Sequence, residues 1–448
     1  MKKKLWKCIR FKNLQTEISG YGYEYSFSRY VFWLVAGILT VIGIGKLNGL
    51  SLIYVFILAA AMLCFVPMLL IEQFRYLYAQ NRFQAMTGYM EQMMYSFGKH
   101  PKILSALEET KELVDGEIKE IVTKIIENIE TSKVMSYEEA FLTLEESYPC
   151  ERVKEMHDFF IKVEQIGGQY QTALAAMIED TKLWVERVYL FQKERSQMKK
   201  KIVLSILCVL TLCSVLFRLM AGNEEMTKVI ESLPYQIGTT FIFVSFLCLF
   251  LLSQKLLSGK WIKSEKSMTE EQIEKDWMHI KEEPDKYPRA RKRLKREIEK
   301  QFPRWLRGII LNLQTDNVYR TIVESSDYAP YVMRQPLRIF IEELGEDPVS
   351  MKPYDHFLKE LPVPEIHSAV KMLYSYTNTD THEAKEQLNA IMKRNIALTD
   401  RAERLENEDE VAKHLLLFYI PMFLGTGKIM LDMSMLFLVL FSLWGKLR

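Results

Sequence analysis

The sequence predicts an all-α fold: a polytopic membrane protein carrying two repeated cytoplasmic helical-bundle domains. Three observations predict it. Apolar residues collect in blocks of about 20, the length that crosses a bilayer as a helix. The stretches between them are charged, poor in proline and glycine, and apolar at three- and four-residue steps. The two longest charged stretches share an order of parts. Over 448 residues the chain is 49% hydrophobic and 26% charged. A soluble protein has the same averages, so it is the segregation that decides the class.

Residues 1–29 form a basic N-terminal segment with no signal-peptide cleavage pattern. Residues 30–71 form a transmembrane hairpin. Its first block runs from Tyr30 to Gly45, Lys46-Leu47-Asn48-Gly49 breaks it, and Leu50 to Ile71 follows. Residues 72–201 form a first bundle of about six helices, opening at Phe83. In it, Ile118, Ile121, Val122, Ile125, Ile126 and Ile129 make one buried stripe. Ser136 with Glu139 makes a capping box, and Gly167-Gly168 ends a helix.

A second hairpin occupies 202–254, with Arg218 one turn from the end of its first helix, where a long stem reaches the interface. Residues 255–301 read as a charged linker, helical from Ser264 to Lys281 and broken by Pro284 and Pro288. Residues 302–413 form the second bundle. The last segment, 414–448, is apolar but interrupted by Gly425-Thr426-Gly427-Lys428 and Asp432. It makes one span, or two short ones if that interruption is a turn. Lys428 and Asp432, four apart, either form a self-neutralising pair on one helical face or mark the boundary between two segments. Lysine and arginine crowd the N-terminus, 73–201 and 254–413 and are sparse at 46–49 and 222–233. The positive-inside rule therefore puts both bundles in the cytoplasm of a cell-membrane protein.

Chemistry is sparse. The net charge of +2 excludes a polyanion-binding protein as a whole. The six cysteines show no zinc or disulfide spacing, and four lie in apolar stretches, as buried free thiols. The seven histidines are scattered, which reads as surface or half-buried side chains. Gly425-Thr426-Gly427-Lys428 matches the end of a phosphate-binding loop, but Met422 and Ile429 stand where glycine and serine or threonine belong. No catalytic motif, cofactor or metal is expected. Arg289, Arg291, Lys292, Arg293, Lys295 and Arg296 form a dense basic cluster. It suits either anionic lipid headgroups or an acidic partner surface, and not nucleic acid.

Phe83–Thr181 and Phe302–Asn395 read as weak copies of one unit. SYEEAFLTLEESYP faces KPYDHFLKELPVP, and RVKEMHDFFIKVEQ faces IHSAVKMLYSYTNT. Asn378-Thr379 replaces the glycine pair in the second copy. With the SYEEAF helix, Gly167-Gly168 and the helix entering the bilayer at KKKIVLSIL, this order resembles the polytopic platform proteins of type II secretion systems and type IV pili. The N-terminal hairpin is similar to the tight-adherence (Flp) branch. The resemblance implies an inner-membrane scaffold, not an enzyme. Its expected partners are a hexameric ATPase, pilin or pseudopilin subunits, membrane lipids, and a second copy or a paralogous platform subunit. Gly167 and Gly168 are the expected hinge or packing point. The competing class is a transporter or channel.

Overall fold

The computed structural model describes residues 11–131, 136–167, 170–221, 224–258, 261, 268–282, 286–313, 317–377 and 383–446. Among these residues the fold is all-helical, with no strand. The chain divides into two compact units, each assembled from separated segments. One is apolar and consists of Met1–Phe83, Val188–Trp261 and Asp409–Arg448. The other is polar and consists of Gln84–Arg187 and Ile262–Glu408.

The chain opens with α1 (Phe11–Ser19), α2 (Phe27–Leu47) and α3 (Leu52–Lys99). In α1, Leu14 and Ile18 are fully buried against Tyr25, Tyr30, Val66 and Leu70, so this short helix lies on the base of the hairpin. Ser26 caps α2 by accepting from the Arg29 amide. At 21 residues α2 is about 30 Å long, the thickness of a hydrocarbon core. Helix α3 does not stop where its apolar run ends. It continues unbroken through Glu72 to Lys99 and contains Pro67, so no turn separates the membrane hairpin from the helix expected to open at Phe83. Apolar surroundings deny the carbonyl freed by Pro67 any water and favour keeping the rest of the helix hydrogen-bonded.

Helices α4 (Ile103–Leu113), α5 (Glu117–Thr131), α6 (Tyr137–Ser147) and α7 (Glu151–Ile166) follow within the polar unit. The α5 stripe buries Ile118, Ile121, Val122, Ile125 and Ile126 as its periodicity predicts. Each such side chain is worth about 1.5–3 kcal/mol of transfer free energy. Ser136 accepts from the Glu139 amide, as the capping box requires.

Helix α8 (Gln171–Met220) is 50 residues long and uninterrupted, running from charged sequence into apolar sequence. After α9 (Glu224–Ile230) and α10 (Leu233–Leu257) come α11 (Glu270–Glu282) and α12 (Pro288–Asn312). The linker helix ends at Glu282, as expected, with Pro284 outside the described residues. Pro288 then begins the next helix, at a position where the missing amide hydrogen costs nothing. The basic cluster is therefore helical, and the second polar segment opens well before Phe302. The remaining helices are α13 (Val318–Glu324), α14 (Tyr331–Glu346), α15 (Lys352–His356), α16 (Pro364–Thr377), α17 (Ala384–His414) and α18 (Leu416–Lys446). Gly425 to Lys428 do not interrupt α18, which runs 31 residues as one helix. Two glycines weaken a helix by only about 1 kcal/mol each. Pairing Lys428 with Asp432 removes the other reason to break.

Among the described residues five helices, α2, α3, α8, α10 and α18, are long and apolar enough to cross a membrane. In the apolar unit they share a core that includes Val41, Leu58, Ile202, Phe246 and Leu417.

Candidate functional site

The most unusual chemistry in the apolar unit lies where α18 meets α10 and α8. Lys428 has no exposed surface, and Asp432 and Tyr235 are 4% and 2% exposed. Periodicity puts Lys428 and Asp432 on one face of α18, and the Lys428 ammonium bonds the Asp432 carboxylate directly. It also donates to Tyr235 Oη at 3.0 Å, and the Tyr235 hydroxyl donates to Asp432 Oδ1 at 3.1 Å. The rings of Tyr235 and Phe217 lie 4.9 and 5.6 Å from the ammonium, so its remaining face meets π clouds. Asp432 Oδ2 and the nearby α10 hydroxyl of Thr239 are buried without a hydrogen-bond partner. On the neighbouring turn, the Cys213 thiol points at the Gly425 carbonyl, 3.9 Å away. A Cβ on Gly425 would overlap Val209 Cγ1, so α8 and α18 touch at a glycine.

A polar cap closes the α2–α3 turn. The Gln236 amide donates to the carbonyls of Gly49 (2.9 Å) and Ile230 (2.8 Å) and accepts from the Ser51 amide. Asn48 donates to Ser214 Oγ at 3.0 Å. Gly49 has a φ of +68° and faces Phe217, so both its backbone and its surroundings require glycine.

The polar unit holds an ion lattice. Arg152 bonds Asp180 at 2.6 Å and Glu403 at 3.1 Å, and Arg187 bonds Glu403 at 2.6 Å. Arg307 bonds Glu155 and reaches Asp180 at 3.2 Å. Burial opposes ionisation of Asp180, but Arg152 and Arg307 outweigh it and hold the carboxyl at about 2. The lattice ties α7, α8, α12 and α17 together through side chains far apart in sequence.

Helix α8 runs parallel to its partners in each unit taken separately. Within the polar unit, Ala176 shares a small cavity with Met392, and further along both helices Arg187 meets Glu403. Within the apolar unit, Arg195 meets Glu410 at 2.7 Å, and Cys213 meets Gly425.

The other residues singled out from sequence fall as follows. Arg218 is exposed in the last turn of α8, next in sequence to Phe217. Gly167 caps α7 at φ +76°, ψ −147°, a conformation open only to glycine. A Cβ there would touch nothing, so conformation and not packing requires this glycine. Gly168, Asn378 and Thr379 lie outside the described residues. In the basic cluster, Arg293 chelates the buried Asp276 carboxylate at 2.6 and 2.9 Å, whereas Arg289, Lys292 and Arg296 are exposed.

Two expectations are corrected. His157 is fully buried, not at the surface: Nε2 meets Tyr89 Oη at 3.0 Å and Nδ1 meets Glu145 at 2.8 Å. Two bonded neighbours make such burial affordable. Of the free cysteines described, only Cys213 is buried, and Cys208 and Cys248 lie on outer faces of their helices. An apolar sequence context does not distinguish a core from a lipid-facing surface.

Sequence reasoning found Lys428 and Asp432 but missed Tyr235, Thr239 and the Arg152–Asp180 pair. Each belongs to a different segment from its partners, and no local pattern marks it.

Among the described residues, fold and site together give an all-helical protein with five helices long and apolar enough to span a bilayer, and a buried charge cluster packed among them. No family model matches the chain, and neither a curated protein nor a solved structure matches it significantly.

Proposed function

We propose that the protein is the inner-membrane platform of a type IV (tight-adherence-like) pilus or type II secretion machine. It couples a cytoplasmic hexameric ATPase to the movement of pilin or pseudopilin subunits out of the bilayer. The observation that carries this reading is α8: 50 residues of unbroken helix, from the charged lattice around Asp180 into the apolar core around Cys213. A helix without a proline or glycine pair resists bending, so torque applied to its charged half reaches its apolar half. Its parallel pairing with α17 and α18 is what two copies of a unit, each leading into the membrane, would produce. The charge distribution supports a cytoplasmic location for both polar segments.

The test is a flexible Gly/Ser insertion at Met198. Filament assembly is abolished while the protein still inserts in the membrane and still co-purifies with the ATPase. Normal assembly overturns the coupling.

One observation favours the transporter reading instead: the buried Lys428–Asp432–Tyr235 cluster, since intramembrane ionisable groups mark transport paths. Proton or cation flux in reconstituted vesicles, lost in the double variant Lys428→Met, Asp432→Leu that keeps the site neutral, decides for it.

A further inference from the structure

We infer that the polar unit binds an internal water molecule where α8 meets α17, with one hydrogen donated to Asp180 Oδ1 and the other to Asn395 Oδ1. A cavity of about 40 Å³ lies there, lined by residues of α7, α8, α12 and α17, the four helices that the ion lattice ties together. A buried water occupies about 10–15 Å³ of such space and needs two to four polar partners. Both requirements are met. Asp180 and Asn395 line the cavity and are only 6% and 5% exposed. Each has one buried oxygen without a hydrogen-bond partner, Asp180 Oδ1 and Asn395 Oδ1. The other Asp180 oxygen, Oδ2, is taken by Arg152 at 2.6 Å and Arg307 at 3.2 Å. Two buried acceptors without donors carry a desolvation cost that one molecule reaching both removes.

The chemistry of the wall selects the occupant. Both unpartnered atoms are acceptors, so the occupant must donate twice, which excludes an anion. The carboxylates at the cavity, Asp180 and Glu155, are already bonded to guanidiniums, and Arg152 and Arg307 stand on its wall. A cation there would meet two positive charges and no unshared counter-charge. A neutral double donor remains, and the space is of the size of water. Arg152 and Arg307 each carry five N–H groups, so the water oxygen has donors beside it from which to accept. Ala173, Ala176, Ile310 and Met392 make much of the remaining wall apolar and confine the molecule to these polar groups. The water thus joins α8 to α17 through Asp180 and Asn395. The inference does not depend on the pilus reading, since it concerns the interior of the polar unit alone.

The test is a crystal structure of the full chain, grown in a lipidic mesophase with rubidium as the salt cation, at a resolution that shows ordered water. A density peak within about 3.2 Å of both Asp180 Oδ1 and Asn395 Oδ1, carrying no anomalous signal, is expected. In Asn395→Leu, which removes the polar atoms from that side chain, the peak is expected to be lost. An anomalous rubidium peak at the site, an ordered cavity without a peak, an Asn395 amide turned to donate directly to Asp180, or a peak that survives in Asn395→Leu each overturns the proposal. If the variant does not fold, the wild-type map decides alone.

Discussion

The Lys428 ammonium is bonded to the Asp432 carboxylate one turn along the same helix, in an apolar interior where Lys428 has no exposed surface and Asp432 almost none. Each charge is tolerable only because the other is there. Tyr235 extends the pair to a second helix, so the cluster fixes the rotation of α18 against α10 as well as neutralising itself.

Removing one partner therefore costs more than removing both. Lys428→Met leaves a buried carboxylate and should destabilise the protein by about 3–5 kcal/mol, whereas Lys428→Met with Asp432→Leu should recover most of that loss. Unfolding of the two variants in mixed micelles checks this. Additive losses would show that the pair is not coupled.

The glycine contact between α8 and α18 should be equally specific. Gly425→Ala drives a methyl into Val209 and should cost about 1–3 kcal/mol. Val209→Ala in the same chain should restore stability. Thermal unfolding in detergent of the single and double variants measures the exchange.

Asp180 makes the polar unit acid-sensitive in a defined window. Its folded pKa, about 2, lies below its ordinary 3.8, so the unfolded chain takes up the proton first as pH falls. The stabilisation is fully present above 3.8 and is lost as pH falls through about 2. It amounts to about 2 kcal/mol. Denaturant titrations of wild type and Asp180→Asn should differ at pH 5 and converge towards pH 2.

His157 predicts a loss of stability at milder acidity. Burial pushes its pKa below 6.5, with Glu145 pulling the other way. The folded chain stays neutral where the unfolded chain protonates, so stability falls as pH drops below 6.5. His157→Gln should flatten the slope between pH 7 and 5 in the same denaturant assay. An unchanged slope would place the titration elsewhere.

Much of the fold was legible in sequence because it rests on local signals. Apolar block length gave the spans, the stripe of α5 gave a buried face, and Ser136 with Glu139 gave a helix start. The four-residue spacing of Lys428 and Asp432 offered two readings, and the continuity of α18 selected the pair. The local signals misled after Pro288, where residues read as linker up to 301 form a helix, and at His157, whose burial depends on Tyr89 and Glu145 from other helices.

The sequence alone determined which segments are helical and which of them are apolar enough to span, because periodicity and block length act within a single segment. Only the tertiary structure decided that Tyr235 completes the Lys428–Asp432 pair, that Arg152 and Arg307 share Asp180, and that α8 lies parallel to α17 and α18. Those outcomes depend on how separate helices rotate and slide to bury their apolar faces while leaving few charges uncompensated, and no single segment records that choice.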